Sequence, residues 1–302
     1  MADTPKAPGS FTSTEIASQP ELWKRAQSDS PGEISGLPAS GERVLVLGCG
    51  TSYFVAAAYA WLREQGGHGM TDAIIASELP AITREYDRVI AISRSGTTTE
   101  VIRALEALGG AIPVTAVLGA HGTPVERLAD DVIDLGYADE KSVVQTRFPT
   151  TLLTLLRIHL GATNEQIGTV IEQVTEVLNA DLELPAPRQL VVLGSGWAAP
   201  LAQEAALKCR EAAGMWAEAY ATGEYRHGPI GVAGPGTLVW ALSPLTKPAA
   251  RSIEEAGAEL HQGFNDPQVE LVALQRYALK WALGNGRNAD APTHLSRSVT
   301  VV

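Results

Sequence analysis

The chain has 302 residues, of which 45% are apolar and 19% charged, so it is long enough for two domains that each bury a core. Its formal net charge of −11 offers no basic face for nucleic acid and would be repelled by an anionic membrane. It has neither an apolar run of bilayer length nor an N-terminal signal-peptide pattern, so we expect a cytoplasmic protein. Its two cysteines, Cys49 and Cys209, predict no disulfide framework and no metal site.

The N-terminal part is predicted to contain a leader, a helix and a linker. The first ten residues predict a disordered leader. Thr12-Ser13-Thr14-Glu15 has the pattern of a capping box and predicts a helix that continues through Ile16 and Trp23. The Ser-, Pro- and Gly-rich residues 28–42 predict a linker.

The next part alternates apolar runs with helical patterns. Runs at 44–47 and 89–92 precede predicted helices at 52–63 and 98–108. A third run at 114–118 precedes a short helix from Pro124, with Thr123 and Glu126 as its capping pair. Fully apolar strands between helices predict a parallel sheet that is covered on both faces.

The same alternation of apolar runs and helical patterns then begins again in the second half of the chain. Residues 163–178 carry a helical apolar stripe, the proline-rich segment 181–188 predicts a domain junction, and apolar strands follow at 190–193 and 238–242. We therefore predict an N-terminal leader and helix (1–31) and two similar α/β domains (32–180 and 181–302).

Two polar turns follow neighbouring strands of the first domain. These are Gly48–Ser52 and Ser93–Thr98. Ligands of open parallel sheets bind at such strand ends, and a glycine turn before a helix presents N–H groups and the positive helix end to an anion. Helix capping is the simpler explanation for one hydroxyl-rich turn, but two on adjacent strands favour a phosphate site.

A third turn, Gly194–Ala199, matches the GxGxxA pattern of dinucleotide-binding folds, which is a weak signal alone. The first turn has Tyr53 where the third small residue should stand. We therefore favour a tight strand-to-helix turn over a nicotinamide site, and we expect neither a cofactor nor a metal.

The stretch from Glu204 to Pro229 is rich in side chains that could carry chemistry. Glu204, Lys208 and Glu211 share one helical face. A solvent-facing row of salt bridges has the same spacing, but the flanking small and apolar residues favour a packed helix in which Lys208 holds an ionised base. A lone histidine such as His227 is usually structural, and its combination with Glu211 favours an acid–base pair.

These motifs resemble the paired SIS (sugar isomerase) domains of glucosamine-6-phosphate synthase. The matching segments are CGTS, SRSGTT, ALKCREAAGMWAEAYATGEYRHGP and the tail SRSVTVV. The resemblance extends from about Gly32 to the C-terminus. It implies two tandem flavodoxin-like SIS domains, each a five-stranded parallel sheet with helices on both faces, in a homodimer with the site at the subunit interface.

The resemblance also implies roles for individual residues. The sugar phosphate would be bound by Thr51, Ser52, Ser93, Ser95 and Thr98, with Arg94 in place of the family's glutamine. The sugar would be contacted by Cys49, Gly50, Val143 and Gln145. Glu211, beside Lys208, would move a proton between C1 and C2, and His227 would reach in from the partner subunit to open the ring.

The sequence departs from the family's pattern at two points, and each excludes part of the family's reaction. The family's glutaminase domain has no counterpart in the sequence. Arg297 stands where the family has the lysine that forms a Schiff base, and a guanidinium stays protonated, so it can orient an oxygen or a phosphate but not form that adduct. We therefore do not expect glucosamine-6-phosphate synthesis.

The main hypothesis is an isomerase or deaminase that acts at C2 of an amino-sugar 6-phosphate. Three alternatives stay open: a dehydratase of N-acetylglucosamine 6-phosphate, a non-catalytic phosphosugar sensor, and a deglycase of fructosamine 6-phosphates. Sensors of this family usually carry a DNA-binding module, for which this acidic sequence has no basic segment.

Overall fold

Two parallel sheets organise the protein. The computed structural model describes residues 7–30, 34–79, 84–183, 185–263 and 265–300. Most of the expected leader (residues 1–6) and residues 31–33 of the expected linker lie outside the described part.

The strands of both sheets follow one winding pattern. In chain order they are β1 Val44–Gly48, β2 Thr71–Ile75, β3 Arg88–Ser93, β4 Val114–Leu118, β5 Asp131–Asp134, β6 Gln189–Gly194, β7 Ala217–Ala221, β8 Thr237–Ala241 and β9 Glu259–Gln262. The described strands pair in parallel, in the orders β2-β1-β3-β4-β5 and β7-β6-β8-β9. The first strand of each sheet lies between the second and third, as in flavodoxin-like folds.

The predicted α/β class with two parallel sheets is confirmed. The expected five strands are present in the first sheet, but the second has four among the described residues. After β9 the chain enters a long helix at Pro267 instead of adding another strand.

The described residues form ten α-helices. They are α1 Ser10–Ala17, α2 Gln19–Asp29, α3 Thr51–Gln65, α4 Thr99–Leu108, α5 Pro124–Arg127, α6 Arg147–His159, α7 Asn164–Asn179, α8 Ala198–Ala213, α9 Lys247–Glu255 and α10 Pro267–Gly284. The predicted capping pair of α5 is confirmed, since Thr123 and Glu126 form a capping box.

The central strands are apolar because both of their faces are covered. Every residue of β1 and β4 is buried. In the first sheet, Leu45 and Val89 pack with Val101 of α4, and in the second, Val191 and Val239 pack with Ile253 of α9. Each sheet therefore has its own hydrophobic core.

Contacts within the chain divide it into two compact units, each with one sheet. The first-sheet unit comprises the described residues of Pro20–Asp139, Arg147–Ile171 and Ser298–Val302. The second-sheet unit comprises those of Met1–Gln19, Glu140–Thr146 and Glu172–Arg297. The segments 7–19 and 140–146 thus belong to the unit whose sheet begins only at residue 189.

The predicted capping box at the N-terminus is wrong. Helix α1 begins at Ser10, Gly9 occupies its N-cap without a side-chain hydrogen bond, and the helical run breaks at Ser18 before α2. The backbone N–H and hydroxyl of Thr12 donate instead to Asp290 Oδ1, each at 2.8 Å. Glu15 likewise bonds to a distant segment rather than to its own helix.

Candidate functional site

The two polar turns follow adjacent strands at the switch point of the first sheet. Gly48–Ser52 follows β1, and Ser93–Thr98 leads from the end of β3 into α4. Since β1 pairs with β3, and β2 and β4 flank them, the chain leaves these two strands in opposite directions. A crevice at such a point is where open α/β sheets bind ligands.

Glycines allow both turns to be tight. A Cβ atom on Gly48 would lie 2.7 Å from the carbonyl carbon of Ser52, so β1 and α3 approach too closely for any side chain there. Gly96 has a φ of 63°, and a Cβ on it would lie 2.2 Å from Oγ1 of Thr123. The helix starts are therefore held close to the strand ends, where their N–H groups can face a ligand.

In the second turn, the hydroxyl of Ser93 contacts other groups of the same turn. Ser93 is 2% exposed, and its Oγ accepts from the N–H of Gly96 at 3.1 Å and lies 3.3 Å from Oγ1 of Thr98. Thr98 occupies the N-cap of α4, but its side chain makes no capping hydrogen bond in the described turn. Helix capping does not explain this residue.

The C-terminal tail contacts the same turn, which the sequence did not predict. Oγ of Ser298 lies 3.1 Å from Oγ of Ser95 and 2.9 Å from Oγ1 of Thr97. The N–H of Thr99, in the first turn of α4, donates to the carbonyl of Val299 at 3.2 Å. The tail thus adds a third hydroxyl to the pair at the N-terminus of α4.

Other residues predicted in the first-sheet unit lie in or beside the turns. Thr51 and Ser52 open α3 and are buried, and Gly50 before them has a φ of 54°. Burial, with the nearby Glu100 carboxylate, raises the pKa of the Cys49 thiol, so this side chain is uncharged at neutral pH. Arg94 is only 2% exposed, and its Cγ lies beside Gly119.

The second-sheet unit carries the predicted acid–base residues on α8. Glu204, Lys208 and Glu211 lie in one row: Lys208 Nζ is 3.5 Å from Oε1 of Glu204 and donates to Oε2 of Glu211. The side chains of Glu204 and Lys208 are 0% and 2% exposed, and that of Glu211 is 21% exposed. The expectation of a packed helix face, rather than a solvent-facing row, is confirmed for Glu204 and Lys208.

Charge balance keeps the buried ammonium protonated. Burial alone would lower the pKa of Lys208, but the carboxylates of Glu204, Glu211 and Glu140 together raise it. The cation in turn offsets the negative charge of the two carboxylates on either side. The row therefore presents the carboxylate of Glu211 at its more exposed end.

The predicted sugar-contacting residues Val143 and Gln145 lie in the segment 140–146 of the same unit. The carboxylate of Glu140 accepts from the N–H and, at 3.0 Å, the hydroxyl of Thr146, which closes the segment into a loop. Arg297 donates to the carbonyl of Glu140. Among the described residues, Oε1 of Gln145 is buried without a hydrogen-bond partner and can accept one.

The remaining predicted residue, His227, is exposed. It ends a short 3-10 turn, Glu224–His227, and precedes Gly228, whose φ is 140°. The turn fixes the backbone before the histidine and leaves the imidazole on the surface of its unit.

A cavity of about 660 Å³ lies at the exposed end of the α8 row. Its lining includes Glu211 and Arg210 of α8 together with Arg287, Asn288 and Thr293. Glu211 is the member of the row that lines this space, so a ligand in the cavity reaches a carboxylate held by a buried lysine.

Within the described ranges, no group of three or more His, Cys, Asp or Glu side chains is arranged to hold a metal ion. None of the described helices combines the length and the apolar character needed to cross a lipid bilayer.

Comparison with known proteins finds a domain model and a curated relative that match parts of this chain. Residues 39–162 match the SIS domain model. A glutamine–fructose-6-phosphate aminotransferase (isomerizing) from Pyrococcus horikoshii is 28% identical over an alignment that covers 96% of this chain and 58% of the relative. The chain thus spans little more than half the length of this curated relative.

Solved structures share the fold over nearly the whole chain. A glucosamine-6-phosphate deaminase from Thermotoga maritima superposes with a TM-score of 0.84 at 26% identity, covering 97% of this chain and 100% of that one. A tagatose-6-phosphate ketose/aldose isomerase from Escherichia coli superposes with a TM-score of 0.78 at 19% identity, covering 96% and 97% of the two chains. The second likeness concerns the fold alone.

Proposed function

We propose that this chain, whose residues 39–162 match the SIS domain model, is a phosphosugar enzyme that acts at C2 of an amino-sugar 6-phosphate, as an aldose–ketose isomerase and deaminase. The likeness to the Thermotoga maritima deaminase, at 26% identity over 97% of this chain, supports the amino-sugar class. The proposed reaction needs an anion site for the phosphate and a base for the C2 proton.

The observation that carries the proposal is the α8 row. A lysine that is 2% exposed lies between Glu204 and Glu211, and Glu211 lines a cavity of about 660 Å³. A carboxylate oriented by a fixed cation is suited to general acid–base catalysis, since its position does not change as charge develops.

The phosphate is assigned to the turns of the first-sheet unit. Ser93, Ser95 and Thr98, with Thr51 and Ser52 of the neighbouring turn, offer hydroxyl donors beside the N-termini of α3 and α4. Local donors of this kind are needed because the net charge of −11 does not favour an anion. Arg94 is proposed to add positive charge to the turn from its buried position.

The proposed reaction starts from the open-chain 2-amino aldose, after ring opening by His227. Glu211 removes the proton from C2, which the C1 aldehyde acidifies, and the resulting enol receives a proton at C1. The product is a 2-imino ketose phosphate. Water adds to its C2, ammonia leaves, and a ketose 6-phosphate remains, without any net oxidation or reduction.

Arg297 has a separate proposed role in this scheme. Its guanidinium donates to the carbonyl of Glu140 and stays protonated, so it does not form a Schiff base with the ketose. It orients the 140–146 segment and can donate to a sugar oxygen. The scheme therefore proceeds without a covalent intermediate on the enzyme.

The test is incubation with glucosamine 6-phosphate in D₂O, followed by NMR and an ammonia assay. We expect fructose 6-phosphate, ammonia and deuterium at C1 or C2, and we expect Glu211→Gln to lower kcat by about 100-fold or more. Glu255→Gln is the matched control, because this exposed glutamate of α9 pairs only with Arg251 among its described salt bridges.

Parallel incubations with the N-acetyl form and with fructose 6-phosphate separate the alternatives. Loss of water from the N-acetyl sugar would replace the deaminase with a dehydratase. Phosphosugar binding without exchange or turnover, equal in the wild type and Glu211→Gln, would contradict an enzymatic role.

A further inference from the structure

Glu15 is a buried carboxylate that none of the roles above explains. It lies on α1 and is 3% exposed, far from the α8 row in sequence. An ionised carboxylate is costly to bury unless donors satisfy it. The groups that donate hydrogen bonds to Glu15 therefore indicate its role in the structure.

All described donors to the carboxylate of Glu15 belong to the segment 140–146. Oε1 of Glu15 accepts from the N–H of Lys141 at 2.6 Å and from that of Ser142 at 3.3 Å. Oε2 accepts from the hydroxyl of Ser142, whose oxygen also lies 2.7 Å from the carbonyl of Val144. One side chain thus fixes the backbone directly before Val143.

The same helix holds the segment by a second route. The carboxylate of Asp290 accepts from the N–H groups of Phe11 and Thr12, at 3.2 and 2.8 Å, near the start of α1. The carbonyl of Asp290 accepts from the N–H of Val143 at 2.9 Å. Helix α1 therefore fixes the backbone just before Val143 through Glu15, and it fixes the N–H of Val143 itself through Asp290.

These contacts restrict the residues that the proposed function assigns to the sugar. A short loop whose two N–H groups and one hydroxyl donate to a single buried carboxylate has less backbone freedom before a ligand arrives. Preorganisation of this kind raises affinity, because the ordering cost is met during folding instead of during binding.

We infer that Glu15 is a positioning residue for substrate binding: its carboxylate holds the 140–146 segment so that Val143 and Gln145 meet the sugar in a fixed conformation. The inference rests on the proposed function for the identity of the ligand. The restraint on the segment rests on the hydrogen bonds alone and can be measured without a substrate.

The test compares Glu15→Ala and Glu15→Gln by amide hydrogen exchange and by steady-state kinetics. In Glu15→Ala the amides of residues 141–146 should exchange at least about tenfold faster, and KM for the phosphosugar should rise about tenfold with kcat changed less than about threefold. Glu15→Gln should restore most of both values, because its amide oxygen can accept the two N–H groups and its NH₂ can donate to Ser142.

Two further variants keep the test decisive. Glu270→Ala removes another buried carboxylate of the same unit, which accepts from Trp240 and Asn265 and has no described bond to the segment. It should lower the melting temperature comparably while leaving exchange at 141–146 and KM unchanged. Ser142→Ala removes the hydroxyl and its contacts to Glu15 and Val144 but keeps the two N–H donors, and it should raise KM a few-fold, which tests the inference even if Glu15→Ala does not fold.

Unchanged exchange at residues 141–146 in Glu15→Ala would overturn the inference, whatever the activity. Equal KM effects in Glu15→Ala and Glu270→Ala would do the same, because they would show a general loss of stability. Failure of the proposed function gives a different pattern: no turnover in the wild type, with the exchange difference still present.

Discussion

Lys208 is an unusual buried cation, because it has a carboxylate on each side along one helix. Lys208→Met would leave the fully buried Glu204 without its counter-ion, and loss of one partner from a buried pair costs about 3–5 kcal/mol. We expect a loss of this size in urea unfolding, together with a lower kcat, since the ammonium of Lys208 no longer holds the Glu211 carboxylate in place.

The exposed pair Lys24–Glu21 provides the control for this prediction. Its side chains are 53% and 75% exposed, so Lys24→Met should change stability by less than about 1 kcal/mol. The double variant Glu204→Leu with Lys208→Met should recover part of the lost stability, because it removes both buried charges. Equal losses from Lys208→Met and Lys24→Met would contradict a buried ion pair.

The raised pKa of Lys208 also fixes the pH range of its contribution. A group whose folded pKa lies above its unfolded value binds its proton more tightly when folded. Its stabilisation is therefore fully present below the ordinary lysine pKa of about 10 and is lost only as pH rises through the folded pKa. The row is intact throughout the neutral range.

Individual site residues could be predicted from the sequence where ionisable side chains lie only a few residues apart on one helix. Glu204, Lys208 and Glu211 share a helix face, so four- and three-residue spacing sufficed to bring them together. Glu15 and Ser298 could not be found in this way, because their partners lie 126 or more residues away in sequence. For Glu15 the local pattern even favoured a wrong role, since a TxxE sequence fits a capping box that the structure does not form.

At the scale of elements, prediction succeeded for the central strands and missed the edges. The runs at 44–47, 89–92, 114–118, 190–193 and 238–242 correspond to the five inner strands β1, β3, β4, β6 and β8. The four strands that the sequence did not suggest, β2, β5, β7 and β9, are the edge strands of their sheets. Edge strands are half-covered, so residues such as Asp72 and Glu218 interrupt the apolar runs that identify inner strands.

Gly194 affects the candidate site, because the lack of a side chain there lets the start of α8 lie close to the end of β6. A Cβ on Gly194 would lie 2.1 Å from the carbonyl oxygen of Ala198, a backbone atom at the start of α8. Gly194→Ala should therefore displace α8, lower stability by about 1–3 kcal/mol and reduce kcat/KM at least about tenfold through a shift of Glu211. Thermal unfolding and steady-state kinetics measure both effects.

Gly168 gives the matched control for this glycine. It lies inside α7, and a Cβ there would have no heavy atom within 4 Å. Gly168→Ala should raise stability by about 0.5–1 kcal/mol, since alanine is the better helix former, and should leave kcat/KM unchanged. If Gly194→Ala behaved like Gly168→Ala, the close approach of α8 to β6 would not constrain the site.

For the whole molecule, we propose that a second copy of the chain completes the catalytic set. His227 is exposed, and Trp216 and Val232, which precede and follow it in the sequence, are 71% and 64% exposed. Because its side chain is exposed, His227 can contact a second copy of the chain. Together with the family resemblance, this supports our proposal of a homodimer in which His227 acts on the partner subunit's substrate.

Mixed dimers test that proposal directly. Glu211→Gln and His227→Asn should each be nearly inactive alone, and co-expression should restore about a quarter of the wild-type activity. Random pairing makes half of the molecules heterodimers, each with one intact site if the two residues come from different subunits. Light scattering should give twice the chain mass. No recovery in verified heterodimers would mean that Glu211 and His227 act within one chain, and a monomeric mass would rule out the shared site.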